Sequence, residues 1–325
     1  MYANEHVEKM NRDELQALQW ERLQRVVNWA YSKSHFYQQS FNKAGVKPED
    51  VKGLADIVKL PFLTAISLHR IDALDLLTTP LSSILRFNHM MEVTGEVTKL
   101  YTNGDIGHNV DMMTRCLVAA DVTNASVVGL QGELSDSRIL DIQYALEHIG
   151  ATVVPFGSDY RHWLRLMEIV GMDTLISTPQ LIMQLIIQLQ ATGKNIIDYP
   201  ISKIICINPT NIQNPLQQHI QERTKTKVYN LYAPPEVGCA GMLYQCGEHT
   251  GQHVQEDFFY VEILKFDSSE PIFEDDRMGE LVVTTLAAEA MPLIRYRTGQ
   301  AVRRMSDTCA CGRTLIRVAT PYTFF

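Results

Sequence analysis

Hydrophobic positions change their period along the chain, and each change marks a different kind of structure. Between residues 11 and 44, Leu15, Leu18, Leu23, Val26, Val27 and Ala30 recur roughly on one face of a helix. Asn11 and Glu14 stand at the spacing of a capping box, which places the start of that helix. The region to about residue 75 is therefore predicted helical. The next segment, LLTTPLSSILRFNHMMEVTGEVTKLYTNGDI, reads as short strands with turns. From residue 106 a regular alternation sets in. A helical run over 106–120 leads to ASVVGL, ILDIQYALEHIG leads to ATVVPF, and RHWLRLMEIVG leads to DTLIST. A helix over 179–193 leads to KIICIN, and one over 214–224 leads to KVYNLY. Strands recurring between helices predict an α/β fold built from βαβ units, a largely parallel sheet flanked by helices on both faces. After Tyr232 the runs YVEILKF, GELVVTTL and PLIRYRT predict antiparallel or mixed β structure. The expected organisation is an N-terminal helical region (1–80), an α/β body (81–231) and a smaller C-terminal β subdomain (232–325).

Composition narrows the partners. The 325 residues are 46% hydrophobic, enough for a sizeable core. Lys and Arg number 29 against 37 Asp and Glu, and no basic block offers a footprint for phosphate backbones, so nucleic acid is not an expected partner. The polar N-terminus MYANEHVEKMNRDELQ does not read as a leader. No segment approaches 18 uninterrupted apolar residues, so a cytoplasmic protein with no membrane partner is expected. Cys116, Cys206 and Cys239 lie in apolar or mixed surroundings and read as buried small hydrophobes.

Four stretches carry a family resemblance: RVVNWAYSKSHFYQQSFNKAGVKPEDVKGLADIVKLPFLT, YNLYAPPEVG, GQHVQEDFFYVEIL and GELVVTTLAAEAMPLIRYRTGQ. Together they resemble phenylacetate-CoA ligases, members of the adenylate-forming superfamily, over nearly the whole chain. The resemblance implies the superfamily's large N-terminal domain, with ATP, magnesium and CoA as cofactors and a small carboxylic acid as substrate. It also implies several departures. Where the family has a phosphate loop of the type S-S-G-T-T-G-K-P, this chain reads Met90-Met91-Glu92-Val93-Thr94-Gly95-Glu96-Val97, with Glu96 in place of the lysine. Two like charges near 4 Å repel by about 4 kcal/mol at a protein-surface dielectric, so such a loop rejects a polyphosphate.

The adenine-lining G-A-E-P becomes Asn208-Pro209-Thr210-Asn211. The Y-G-[LM]-[ST]-E element becomes Tyr232-Ala233-Pro234-Pro235-Glu236, which keeps its ends and loses its hydroxyl, leaving Glu236 as a remnant of the magnesium site. Gln300 stands at the ribose-binding Asp, a neutral amide in place of a carboxylate. Arg295 and Arg297 read first as surface or interdomain ion pairs of a retained structural corner, with Arg297 also a candidate pocket residue. In the acyl region the family's glycine-rich turn is here Glu133-Leu134-Ser135-Asp136-Ser137, whose carboxylates would disfavour an anionic substrate unless they face solvent. Family members continue through a hinge into a C-terminal domain carrying the catalytic lysine. This chain ends at RVATPYTFF, so that domain is expected to be absent or supplied by another protein.

A second chemistry lies in the polar cysteines. Cys246 and His253 share the loop CGEHTGQH, and Cys309 and Cys311 share TCACGR. Zinc takes tetrahedral Cys and His ligands, and a Cys3His set drawn from two turns makes a closed, structural site. Some relatives of phenylacetate-CoA ligases have a similar Cys/His loop followed by CPCGR, which strengthens the zinc reading. The competing readings are free thiols, or His249 as the ligand in place of His253. The functional expectation is a phenylacetate-CoA ligase-like protein that has lost ATP-dependent adenylation and serves as a binding or interaction module. Tyr232, Glu236, Arg297 and Gln300 would line its degenerate nucleotide pocket, open to a small carboxylic acid or nucleotide-like ligand. The alternative is an active acyl-CoA ligase or acyl transferase using a divergent donor. A third reading makes the chain a subunit that docks a partner or a second copy, as a homodimer.

Overall fold

A capped helix opens the main body of the structure. The Asn11 side chain accepts a hydrogen bond from the Glu14 amide at 2.9 Å. In this computed structural model, which describes residues 1–92, 95–157, 160–207, 215–319 and 322–323, the short α1 (Glu5–Glu8) precedes α2 (Arg12–Lys33). The buried side of α2 carries the expected apolar stripe together with Gln19, while Leu18 is half-buried. Next, α3 (His35–Ala44) ends at Gly45, whose φ of 69° suits a residue without Cβ. The predicted helical continuation is instead a series of 3-10 turns at Pro48–Asp50, Leu54–Lys59 and Ala73–Leu76. Among them lie β1 (Leu63–Thr64) and α4 (Ala65–Leu68). Pro48, Gly53 and Pro61 interrupt helix propagation there.

The expected short strands form one antiparallel hairpin of β2 (Arg86–Glu92) and β3 (Gly95–Tyr101). The alternating region then follows the predicted order: α5 (Asn103–Ala119), β4 (Val127–Gln131), α6 (Ser137–Ile149), β5 (Thr152–Phe156), α7 (Tyr160–Val170), β6 (Thr174–Ser177), α8 (Pro179–Ala191), β7 (Lys203–Ile207), α9 (Pro215–Thr224) and β8 (Lys227–Tyr232). The β4 to β8 strands pair in parallel. Alternate residues face opposite ways. Ile176, Ile205, Ile207 and Leu231 pack with residues of α5 and α6, whereas Leu175, Ile204, Cys206 and Val228 pack with residues of α7, α8 and α9. Burial on both faces explains why these strands read as continuous apolar runs.

The C-terminal strands are β9 (Leu243–Tyr244), β10 (Gln252–Val254), β11 (Phe259–Leu264), β12 (Met278–Thr285), β13 (Tyr296–Arg303), β14 (Arg317–Val318) and β15 (Tyr322–Thr323). They are divided between two sheets. β9, β10 and β14 extend the parallel sheet to eight strands, in the order β14-β10-β9-β8-β7-β6-β4-β5. β11, β12 and β13 form the other sheet with β1 and β15. The strand expected at PLIRYRT begins only at Tyr296, because Arg295 takes a φ of 49°.

The chain crosses between the sheets at Gln255, Glu256 and Asp257, all buried. Arg115 of α5 holds both carboxylate oxygens of Asp257, at 2.9 and 3.0 Å. Arg12 of α2 holds Glu256 at 3.0 and 2.6 Å. Gln255 donates to the Met112 carbonyl at 3.1 Å. Among the described residues no helix is long and apolar enough to cross a membrane. Removing one partner of a buried ion pair strands the other charge, which costs roughly 3–5 kcal/mol. Asp257→Ala is accordingly expected to lower the unfolding free energy by that amount in chemical denaturation, and an unchanged midpoint would show the pair to be dispensable.

Candidate metal centre and ligand pocket

Four ligand groups converge at the edge of the eight-stranded sheet. His253 sits in β10, Cys246 follows β9, and Cys309 and Cys311 occupy the loop between β13 and β14. Their ligand atoms all lie within 4.8 Å of one another. Cys246 Sγ is 3.6 Å from Cys309 Sγ, and Cys311 Sγ is 3.4 Å from His253 Nε2. A tetrahedral ion with metal–sulfur bonds of about 2.3 Å sets its ligand atoms about 3.8 Å apart, so the cluster needs little adjustment to close on one.

His253 is fully buried, and its Nδ1 lies 3.3 Å from the Leu315 carbonyl, so a proton there leaves the Nε2 lone pair facing the thiols. Cys311 is held well below the ordinary thiol range by hydrogen bonds, first with Cys246 and then with His253, while the same Cys246–Cys311 bond pushes Cys246 up. The thiols therefore share protons that a bound cation would displace. His249 packs on the Tyr229 ring at 4.5 Å, and the histidine brought to the cysteines is His253. The cluster thus belongs to the rim of the large sheet. It does not join the two ends of a separate β subdomain, because β9, β10 and β14 are not in the second sheet.

The other expected site lies around the end of β8. Tyr232 is buried at the end of β8, and Glu236 is buried in the following turn. The Tyr296 hydroxyl bonds to Glu236, and burial first, with Glu236 second, raises that phenol far above its ordinary range. A cavity of about 140 Å3 lies beside Glu236, and its described wall includes Glu96, Thr98, Lys99, Leu76 and Met291. Tyr232 and Gln300 are not among the described residues of that wall. Arg297 is engaged by Glu280, with Nε donating at 2.8 Å. Arg295 is not a surface group. It is buried, bonded to Glu262 at 2.8 and 3.0 Å and to the Val58 and Leu60 carbonyls, and it lies over the Phe62 ring. Asp136 is taken up in capping α6 and pairing with Arg138, so it does not act as a free carboxylate in an acyl pocket. Asn208 to Asn211, and Val93 with Thr94, fall outside the described residues.

No protein-family model matches the chain. Whole-sequence comparison does find relatives. A phenylacetate-coenzyme A ligase of Thermus thermophilus is 29% identical over 322 residues, covering 98% of this chain and 72% of the relative. One of Escherichia coli is 29% identical over 323 residues, with coverages of 96% and 72%. The chain is similar in sequence to phenylacetate-CoA ligases over nearly its whole length. Among solved structures, a 2-hydroxyisobutyryl-CoA ligase in complex with 2-HIB-AMP and CoA superposes with a TM-score of 0.90 at 19% identity, over 99% of this chain and 70% of that one. The architecture is therefore that of the N-terminal domain of adenylate-forming CoA ligases.

Against that ligase fold, one residue of the pocket was missed by motif matching. Lys99 is buried on β3, where Val97, Lys99 and Tyr101 share the inward face of the strand. The alternation in VTKLY was the signal that could have found it. Its Nζ donates to the Met291 carbonyl at 3.1 Å. Burial pushes the amine down to about 8, with Asp105, Cys239 and Glu236 pulling the other way. A base whose folded pKa is depressed binds fewer protons in the folded than in the unfolded state between the two values. Stability should therefore rise with pH from about 8 to 10.5, by an amount on the order of 3 kcal/mol. Measured as wild type against Lys99→Met, the stability difference should shift toward wild type across that window, and a pH-independent difference would show that the amine titrates normally.

Proposed function

We propose that this chain is a phenylacetate-CoA ligase-like protein that has lost ATP-dependent adenylation and acts as a binding or interaction module on a ligase scaffold. The observation that carries this reading is the charge of the cavity beside Glu236. Glu96, at the position where the resemblance expects a phosphate-binding lysine, shares that wall with Glu236. Two carboxylates at the space of a triphosphate oppose it, Glu236 from a buried position and Glu96 from an exposed one. The arginine that remains in the expected pocket, Arg297, supports the same reading, because Glu280 already holds its guanidinium.

The Cys/His cluster fits this role as a structural zinc centre of Cys246, His253, Cys309 and Cys311. It offers four protein ligands, three of them buried, and so leaves no open coordination position for chemistry. Zinc there would tie the β9–β10 region to the loop before β14.

Two measurements test the proposal. Calorimetry with ATP and magnesium is expected to show no binding, and exchange of pyrophosphate into ATP with phenylacetate present is expected to stay at background. A dissociation constant near 1 μM, equivalent to about −8 kcal/mol, or carboxylate-dependent exchange would establish an active ligase instead. For the metal, elemental analysis is expected to find about one zinc per chain, as a closed four-ligand site requires. Structural zinc contributes on the order of 10 kcal/mol in small peptides, so Cys309→Ser should sharply reduce soluble protein. Metal-free protein that melts cooperatively and ignores a chelator would make these residues ordinary thiols.

A further inference from the structure

Two of the four ligand groups of the Cys/His cluster are backed by the first residues of the chain. The Tyr2 hydroxyl donates to the Cys311 carbonyl. The Nδ1 of His253 faces the Leu315 carbonyl at 3.3 Å, and the Leu315 side chain is buried with Met10 and Leu15. Between these two contacts the N-terminal segment is bonded to the residues that follow Cys311. Arg313 donates from Nε to a Glu8 carboxylate oxygen at 2.6 Å and from Nη2 to the Met1 carbonyl at 2.8 Å. The other Glu8 oxygen accepts from the Ala3 and Asn4 amides at 2.9 Å, so one buried carboxylate both folds the segment and fixes it to the loop. Thr314 adds its amide to the Glu8 carbonyl at 3.1 Å and its hydroxyl to the Met10 carbonyl at 2.7 Å. Arg313 also bonds to the Cys311 side chain, so Glu8 helps to aim a donor at a ligand sulfur. Groups that orient metal ligands from outside fix the geometry the ion meets, and losing one typically weakens binding about 10–100-fold.

We infer that residues 1–10 form the outer shell of the metal centre, so that metal occupancy and docking of this segment stabilise each other. An ion that fixes Cys311 and His253 also fixes the loop on which the segment docks. A docked segment, in turn, presents both ligands in place for the ion. The two events share one coupling free energy, so the factor by which docking tightens metal binding is the factor by which metal tightens docking. This coupling rests on the proposed zinc centre and adds to it: the centre reports on, and is controlled by, a stretch of chain that contributes none of its ligands.

Zinc affinity, read by competition with a chromophoric chelator, and hydrogen exchange over residues 1–10 measure the two sides of the coupling. Adding zinc to chelator-stripped wild-type protein should slow exchange in the segment by about tenfold, within the usual range of coupling between sites. Glu8→Gln should weaken zinc by about 10–100-fold, and Tyr2→Phe by roughly threefold to tenfold, the net effect of one hydrogen bond. Tyr2→Phe keeps the ring and removes one hydroxyl, so the test stands if Glu8→Gln does not fold. Tyr37→Phe removes a buried hydroxyl bonded to the Pro292 carbonyl, outside this network, and should leave zinc affinity unchanged. Wild-type affinity in folded Tyr2→Phe and Glu8→Gln, an equal loss in Tyr37→Phe, or exchange in residues 1–10 that ignores zinc would overturn the coupling and leave the zinc centre standing. Wild-type protein that takes up no zinc would overturn both.

Discussion

Asp257 and Glu256 are carboxylates removed from water at the point where one sheet gives way to the other, and their need for counter-charges organises the molecule. Arg115 reaches them from the first helix of the α/β body, and Arg12 and Arg22 reach them from the N-terminal helix. Each of these contacts is costly to leave half-made, because an unpaired charge in a low-dielectric interior loses its hydration without return. The N-terminal helix, α5 and the two sheets therefore have one mutually satisfied arrangement. Apolar packing supplies most of the driving force, but the directional pairs choose among the ways the layers could be stacked.

The same constraint recurs near the termini of the chain. Arg313, two residues beyond Cys311, pairs at 2.6 Å with the buried Glu8, and the Tyr2 hydroxyl donates to the Cys311 carbonyl. The N-terminal segment thus lies against the loop that carries two of the cluster's cysteines. Order in this loop comes from contacts with residues about 300 positions away, and a metal would add to a loop already held.

In the pocket beside Glu236 the constraint has consequences for function. An enzyme that binds a triphosphate arranges positive charge and bare backbone around it. Here the cavity wall joins two glutamates to one desolvated lysine, and Arg297 is bound up with Glu280. The fold is shared with CoA ligases down to its two sheets. A TM-score of 0.90 to a CoA ligase speaks for architecture and leaves the chemistry to individual residues.

The helix-strand alternation from residue 106 to Tyr232 was legible because hydrophobic period and capping residues act between near neighbours. Asn11 starts α2, and the apolar runs of β6 and β7 announce burial on both faces. The two Cys/His loops were visible for the same reason, as short polar turns with close ligand spacing. Other features depend on partners far apart in the chain, and local pattern could not decide them. β9, β10 and β14 join the large sheet because β8 offers them its free edge, although in sequence they resemble the strands that follow. His253 and not His249 meets the cysteines because β10 aims it there, while His249 lies on Tyr229. Arg295 is buried because Glu262 and two carbonyls of the segment after α3 converge on it. Sequence alone set which residues could form helices, strands and ligand turns. Only tertiary structure decided which charges lose their water and what they meet there, since burial belongs to the assembled layers and not to any stretch of chain.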